Sequence, residues 1–144
     1  MLIGTYNSNL TSGKRVAIPA KFRAEIGEKM VIARWYEKCL VMVSETAWGE
    51  LLQKITGKSE FVTAPVRDTD RFIMGSAYEF SVDAQGRVVL PETLLKYAGL
   101  TSEVLFIGLS DRVEIWDKVE WEKREQYIAE HADELMEKVA NEQK

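Results

Sequence analysis

At 144 residues, with 46% hydrophobic and 29% charged side chains, the chain is one domain or two small ones, long enough to bury a substantial core. No apolar run approaches the roughly 20 residues a membrane span needs, and MLIGTYNSNL lacks the basic start and long apolar core of a signal peptide, so a cytoplasmic protein is expected. The single cysteine, Cys39, excludes an intrachain disulfide. The formal net charge of −4 conceals a polarity: residues 1–72 carry 11 basic and 8 acidic side chains, and residues 73–144 carry 8 and 15. No acid precedes Glu25, whereas Lys14, Arg15, Lys21 and Arg23 all do. Since local field decides whether an anion binds, a basic face on an acidic protein is consistent with these numbers.

One pattern occurs twice. LTSGKRVAIPAKFRAEIG over residues 10–27 and VDAQGRVVLPETLLKYAG over residues 82–99 align with Arg15 on Arg87, Pro19 on Pro91, Phe22 on Leu94 and Gly27 on Gly99. Each copy reads as a polar turn, an arginine, three apolar residues, a proline, a short helix and a glycine stop. In the first half, residues 16–18 suit a buried strand, and Phe22 and Ile26 share a helix face. Residues 30–33 and 40–43 are apolar runs separated by RWYEKC, the pattern of a hairpin. Trp48, Leu51, Leu52 and Ile55 recur at helical spacing over residues 46–55, and Gly57 breaks that helix. Residues 56–70, TGKSEFVTAPVRDTD, are expected to be a loop with at most a helical turn.

The second half repeats the order, with strands at 88–90, 104–107 and 113–116 and a helix at 91–98. Asp117 and Glu120 have capping-box spacing. Trp121, Ile128 and Leu135, seven apart, with Ala132 and Val139 alongside, give the last helix an apolar stripe that needs a partner surface. Neither half buries enough to close a core alone. Two halves interleaving into one small β-rich barrel solve this, so the expectation is an α+β internal pseudo-dimer. Its parts are a first repeat at 1–55, a connection at 56–74, a second repeat at 75–121 and a helical extension at 122–144.

The second copy, SVDAQGRVVLPETLLKYAGL followed by VLFIGLSDRVEIW, closely resembles the MraZ family of bacterial transcriptional regulators. The likeness runs from Gly4 through the last helix. Its most specific parts are DxxxR followed by an apolar triplet and proline, residues 83–91, and RVEIWD, residues 112–117, with Trp121 four residues on. The resemblance implies tandem AbrB-like half-domains of the swapped-hairpin type. It also implies sequence-specific binding of double-stranded DNA, usually as a repressor, at the promoter of a division and cell-wall gene cluster. Ring-like homo-oligomers acting on short direct repeats, and a place on the nucleoid, belong to the same expectation. By resemblance the two DxxxR loops, residues 11–15 and 83–87, contact the DNA.

The candidate DNA-binding residues are therefore Lys14, Arg15, Lys21, Arg23, Gln85 and Arg87, with Thr11, Gly13, Asp83 and Gly86 supporting the two turns. The first copy departs from the family pattern: Thr11 replaces aspartate, and Gly13-Lys14-Arg15 stands where Lys-Gly-Arg is usual. Thr11 can cap a turn but cannot neutralise Arg15. Arg15 is then either freer to meet phosphate or misplaced, and both readings stay open. Arg87 with Asp83 reads equally as a DNA contact or an ion pair within the turn. Gln85 reads as a base contact or a turn filler, and Lys21 and Arg23 as positive face or solvated helix surface. Arginine suits phosphate and guanine alike.

Enzymatic readings find little support. His131 lies among acids on the terminal helix, one histidine and one cysteine cannot build a zinc site of usual composition, and no phosphate-binding glycine loop occurs. No metal, cofactor, small-molecule substrate or membrane contact is expected. Beside DNA binding stand two other readings: an AbrB-like protein-interaction module of the antitoxin type, and a purely structural ring-forming protein.

Overall fold

The computed structural model describes residues 1–57 and 61–143; residues 58–60 of the expected connection and residue 144 of the expected extension lie outside the described residues. The apolar hairpins form the centre. In the first half, β1 (Leu2–Asn9), β2 (Arg15–Ala17), α1 (Ala20–Ile26), β3 (Lys29–Arg34), β4 (Leu40–Ser44) and α2 (Glu45–Ile55) follow in order. After α3 (Ala64–Ile73) the order recurs as β5 (Tyr78–Ser81), β6 (Arg87–Val89), α4 (Glu92–Ala98), β7 (Glu103–Ser110), β8 (Val113–Asp117) and α5 (Lys118–Glu142).

A six-stranded antiparallel sheet has the order β1-β7-β8-β4-β3-β5. The two hairpins, β3–β4 and β7–β8, join at its middle through β4 and β8. The first strand of each half crosses to the other half: β1 pairs with β7, and β5 pairs with β3. β2 and β6 leave the sheet and pair with each other. The expected barrel does not close. β1 and β5 are left as the sheet's edges, because the three-residue strands that might have linked them satisfy each other's backbone groups, with one isolated bridge, Leu10↔Val16, back toward β1.

Alternation within the central strands sends side chains to both faces, and both faces are covered. Met30, Ile32, Leu40, Met42, Phe106 and Ile115 pack with Val16, Val88, Phe22 and Leu94 beneath the β2–β6 ribbon, α1 and α4. On the other face Val31, Val41, Val43, Ile107 and Trp116 pack against Leu51 of α2 and Ile73 of α3. This is why MVIA and LVMV read as unbroken apolar runs rather than alternating ones.

Three elements differ from the sequence reading. β1 and β5 are edge strands with mostly exposed residues; their core-facing side chains, Leu2 and Tyr6 in the one and Phe80 in the other, are sparse and only partly buried, so neither forms the unbroken apolar run of the central strands. The connection holds a ten-residue helix, α3, begun by Pro65 in its first turn. Tertiary contact fixes it: Arg34 Nε donates to the Phe72 carbonyl at 2.9 Å, and the guanidinium lies 4.3 Å from the Phe72 ring centroid. Helix α5 spans 25 residues, about 37 Å at 1.5 Å per residue. Asp117 caps it, accepting from the Glu120 N–H at 3.4 Å, and Trp121 meets Trp116 edge-on at 5.3 Å. No residue of α5 is buried.

Candidate nucleic-acid interface

The register of the small ribbon is Arg15↔Val89, Val16↔Val88 and Ala17↔Arg87. Opposed residues of an antiparallel pair share a face, and neighbours along a strand take opposite faces. Val16 and Val88, 0% and 3% exposed, point into the core; each contributes about 1.5–3 kcal/mol on burial, which pins the register. Arg15, Ala17, Arg87 and Val89 consequently point outward together. Arg15 and Arg87 are diagonal neighbours on that face, their Cα atoms about 8 Å apart from the rise per residue and the strand spacing. Two repeats 72 residues apart in sequence thus place their arginines on one small surface.

The ladder continues past the strands with two-fold regularity. Ile18 N–H donates to the Gly86 carbonyl and Leu90 N–H to the Lys14 carbonyl, both at 2.9 Å. The turns preceding the strands also match: Thr11 N–H donates to Arg15 at 2.8 Å and Asp83 N–H to Arg87 at 2.9 Å, while Lys14 N–H and Gly86 N–H donate back to Thr11 and Asp83 at 3.0 Å. Both turns close on a residue with left-handed backbone, Lys14 at φ 62° and Gly86 at φ 75°. The exchanged order Gly-Lys therefore puts a lysine where the fold favours glycine, at a cost of about 1–2 kcal/mol. An ion pair from Lys14 Nζ to Glu92 Oε2, 2.5 Å, at the start of α4 offsets part of it.

The anchoring of the two arginines is unequal. Asp83 Oδ1 accepts from the N–H groups of Gln85 and Arg87, each at 2.9 Å, and Oδ2 takes the Arg87 Nε at 3.1 Å. The Arg87 backbone N–H, more than its guanidinium, holds the Asp83 carboxyl below the usual carboxylate range. In the first turn Thr11 Oγ1 accepts only the Arg15 N–H, at 3.3 Å. The Arg15 guanidinium has no acidic partner among the described residues and lies over Gly13, where an added Cβ would come within 2.8 Å of Nη1.

The remaining candidates are occupied differently. Arg23 packs its guanidinium on Gly86, where an added Cβ would be 2.5 Å from Cζ, and its Nε donates to the Ile18 carbonyl at 3.0 Å. Gly86 is thus required twice, for its φ and for this close approach. At the equivalent place in the second half stands Leu95. Lys21 Nζ reaches back to the Ile3 carbonyl at 3.3 Å, 5.7 Å from the Tyr6 ring centroid. Gln85 is exposed in the second turn and Lys14 in the first, at opposite ends of the ribbon. Sequence reasoning missed Val89, 50% exposed on the outer face, and Glu92, the partner of Lys14. Strand alternation from Arg87 would have found the first; the second needs the cross-half pairing. Among the described residues no group of three His, Cys, Asp or Glu side chains is placed to hold a metal ion, and no helix is long and apolar enough to cross a membrane.

The model of the family described as "MraZ protein, putative antitoxin-like" matches twice in tandem, over residues 1–72 and 73–144. A transcriptional regulator MraZ from Caldanaerobacter subterraneus subsp. tengcongensis is 39% identical over 145 aligned positions, covering 92% of this chain and 97% of that protein. Those from Acetivibrio thermocellus and Leuconostoc citreum are 40% and 36% identical, covering 85% and 95% of this chain and the same shares of their own. The chain belongs to the MraZ family.

Proposed function

We propose that the chain is a sequence-specific DNA-binding transcriptional regulator whose contact surface is the outer face of the β2–β6 ribbon. The observation that carries this reading is the convergence of Arg15 and Arg87 on that one face. A two-stranded ribbon fits the major groove, and arginine takes both phosphate and guanine there. Lys14 and Gln85 reach the backbone or base edges from the two turns, while Lys21 and Arg23 add positive field, Lys21 from its bond to β1 and Arg23 from its place on the second turn. The names of the relatives, transcriptional regulators, support the reading.

The finer expectations follow from the resemblance: a swapped-hairpin pseudo-dimer, repression at the chain's own division and cell-wall cluster, and a homo-oligomeric ring on direct repeats. Strand exchange between the halves is in keeping with the first. For the last, the stripe of α5 is half-exposed at Ile128, Ala132 and Leu135, and Val139 is 50% exposed, as a helix awaiting another subunit would be. Several weak ribbons presented by one ring to successive repeats would bind tightly through effective concentration.

The test is fluorescence anisotropy on a duplex from the region upstream of the chain's own gene, against a shuffled duplex of equal composition, at two salt concentrations. Wild type is expected to prefer the native duplex and to weaken steeply with salt, and the Arg15→Ala/Arg87→Ala double variant to lose that preference while staying folded. Equal affinity of wild type for both duplexes overturns the proposal and points to the protein-interaction reading.

A further inference from the structure

The pseudo-two-fold surface is symmetric in backbone and asymmetric in chemistry. Resting on the DNA-binding reading above, we infer that its two halves divide the work: β6, through Arg87 and Val89, reads base identity, and β2, through Arg15, anchors the phosphate backbone without reading sequence.

Two independent observations carry this. The first is the tether. Asp83 holds the Nε edge of Arg87 at 3.1 Å and is itself fixed by two backbone N–H groups. That leaves the Nη edge of a pre-positioned guanidinium to form the paired hydrogen bonds that distinguish guanine from the other bases. Arg15 lacks such a tether, because Thr11 bonds only its backbone N–H. An arginine that can swing satisfies a phosphate, a spherical anion with many acceptor directions, as well as a fixed one does, but it loses the orientation that base reading needs.

The second observation is the apolar neighbour on each strand. Val89 stands two residues after Arg87 on the same outward face, with two methyl groups and half its surface exposed. The matching position on β2 is Ala17. An exposed branched side chain beside a guanine-reading arginine suits the C5-methyl of thymine, the apolar feature of the major groove. The first strand offers a single methyl instead. Charge agrees at the arginines themselves: the Asp83 carboxylate cancels much of Arg87's attraction for phosphate, while the acid nearest the first loop, Glu92, is taken by Lys14 and leaves Arg15 without an acidic partner among the described residues.

Lysine substitutions test this without disturbing the core, since both arginines are on the surface and a lysine keeps the charge but not the fork. Arg15→Lys is expected to leave both the affinity for the upstream duplex and the preference over the shuffled duplex within about twofold. Arg87→Lys is expected to reduce the preference by roughly 5- to 150-fold per ribbon engaged, with the salt slope retained. Arg15→Ala should weaken binding to both duplexes alike and lower the salt slope by about one per ribbon. Asp83→Thr, which gives the second loop the chemistry of the first, should relax the preference while Arg87 remains. Equal losses of preference in Arg15→Lys and Arg87→Lys, or a larger loss in Arg15→Lys, overturn the division of labour while leaving DNA binding intact. A wild type without preference overturns the DNA-binding reading, and the division with it.

Discussion

Lys14 stands in a backbone conformation that its counterpart meets with Gly86, and the two positions make opposite predictions. Lys14→Gly relieves strain of about 1–2 kcal/mol. It gives up about 0.5–1 kcal/mol in chain entropy and an exposed, solvent-screened ion pair of little net worth, so stability should stay within about 1 kcal/mol of wild type. Gly86→Ala imposes the same strain and forces the Arg23 guanidinium away, and should cost about 1–3 kcal/mol. Urea denaturation midpoints of the two variants check this; a neutral Gly86→Ala would contradict the geometry. Asp83 supplies a pH signature. Its carboxyl is held below the ordinary value of 3.8 chiefly by the backbone N–H of residue 87, and then by that of Gln85 and the Arg87 side chain. A depressed folded-state value means a stabilising contribution present above the unfolded value and lost as pH falls below 3.8 through the folded one. An NMR titration should find the Asp83 midpoint low in wild type and still low in Arg87→Ala, because the backbone donor survives that substitution. A midpoint at the ordinary value in wild type would show that the turn is not held as described.

The local elements were legible where the chain repeats a period, and illegible where the partner is remote. Strands around Val31, Val41 and Ile115 announce themselves as apolar runs because both faces of the sheet are covered, and α2 shows its stripe at Trp48, Leu51 and Ile55. β1 escapes because its apolar residues are sparse and its reason for being a strand is β7, a hundred residues later. Helix α3 escapes for the same cause, held through Arg34. Arg34→Ala, which loses the bond to the Phe72 carbonyl and the stacking on that ring, should destabilise by about 1–2 kcal/mol and speed proteolysis near Phe61 and Val62; unchanged cleavage would show that α3 is held by other contacts. The candidate site was half legible. The repeat identifies Arg15 and Arg87, but their shared face depends on the ribbon register, and the engagement of Lys21 by β1 and of Arg23 by Gly86 depends on contacts no spacing reveals.

The molecule as a whole combines a core covered on both faces with a long helix that packs only through its first turns. Deleting residues 126–144 should leave the thermal midpoint within a few degrees of wild type, because Trp121 against Trp116 remains; with the homo-oligomer proposed above joined through α5, light scattering should then find smaller species than the full chain forms. An unchanged mass would contradict α5 as the proposed subunit contact. Net charge alone would have argued against nucleic acid, yet strand pairing sets Arg15 of the basic first half beside Arg87 of the acidic second half on the ribbon proposed to contact DNA. The most direct test of that surface is photo-crosslinking to the upstream duplex from a benzoylphenylalanine placed at Val89, with the same probe at Tyr127 on α5 as the comparison. Protein–DNA adducts are expected from position 89, disappearing with added salt, and none above background from position 127. Adducts from 127 and none from 89 would contradict the ribbon as the contact surface.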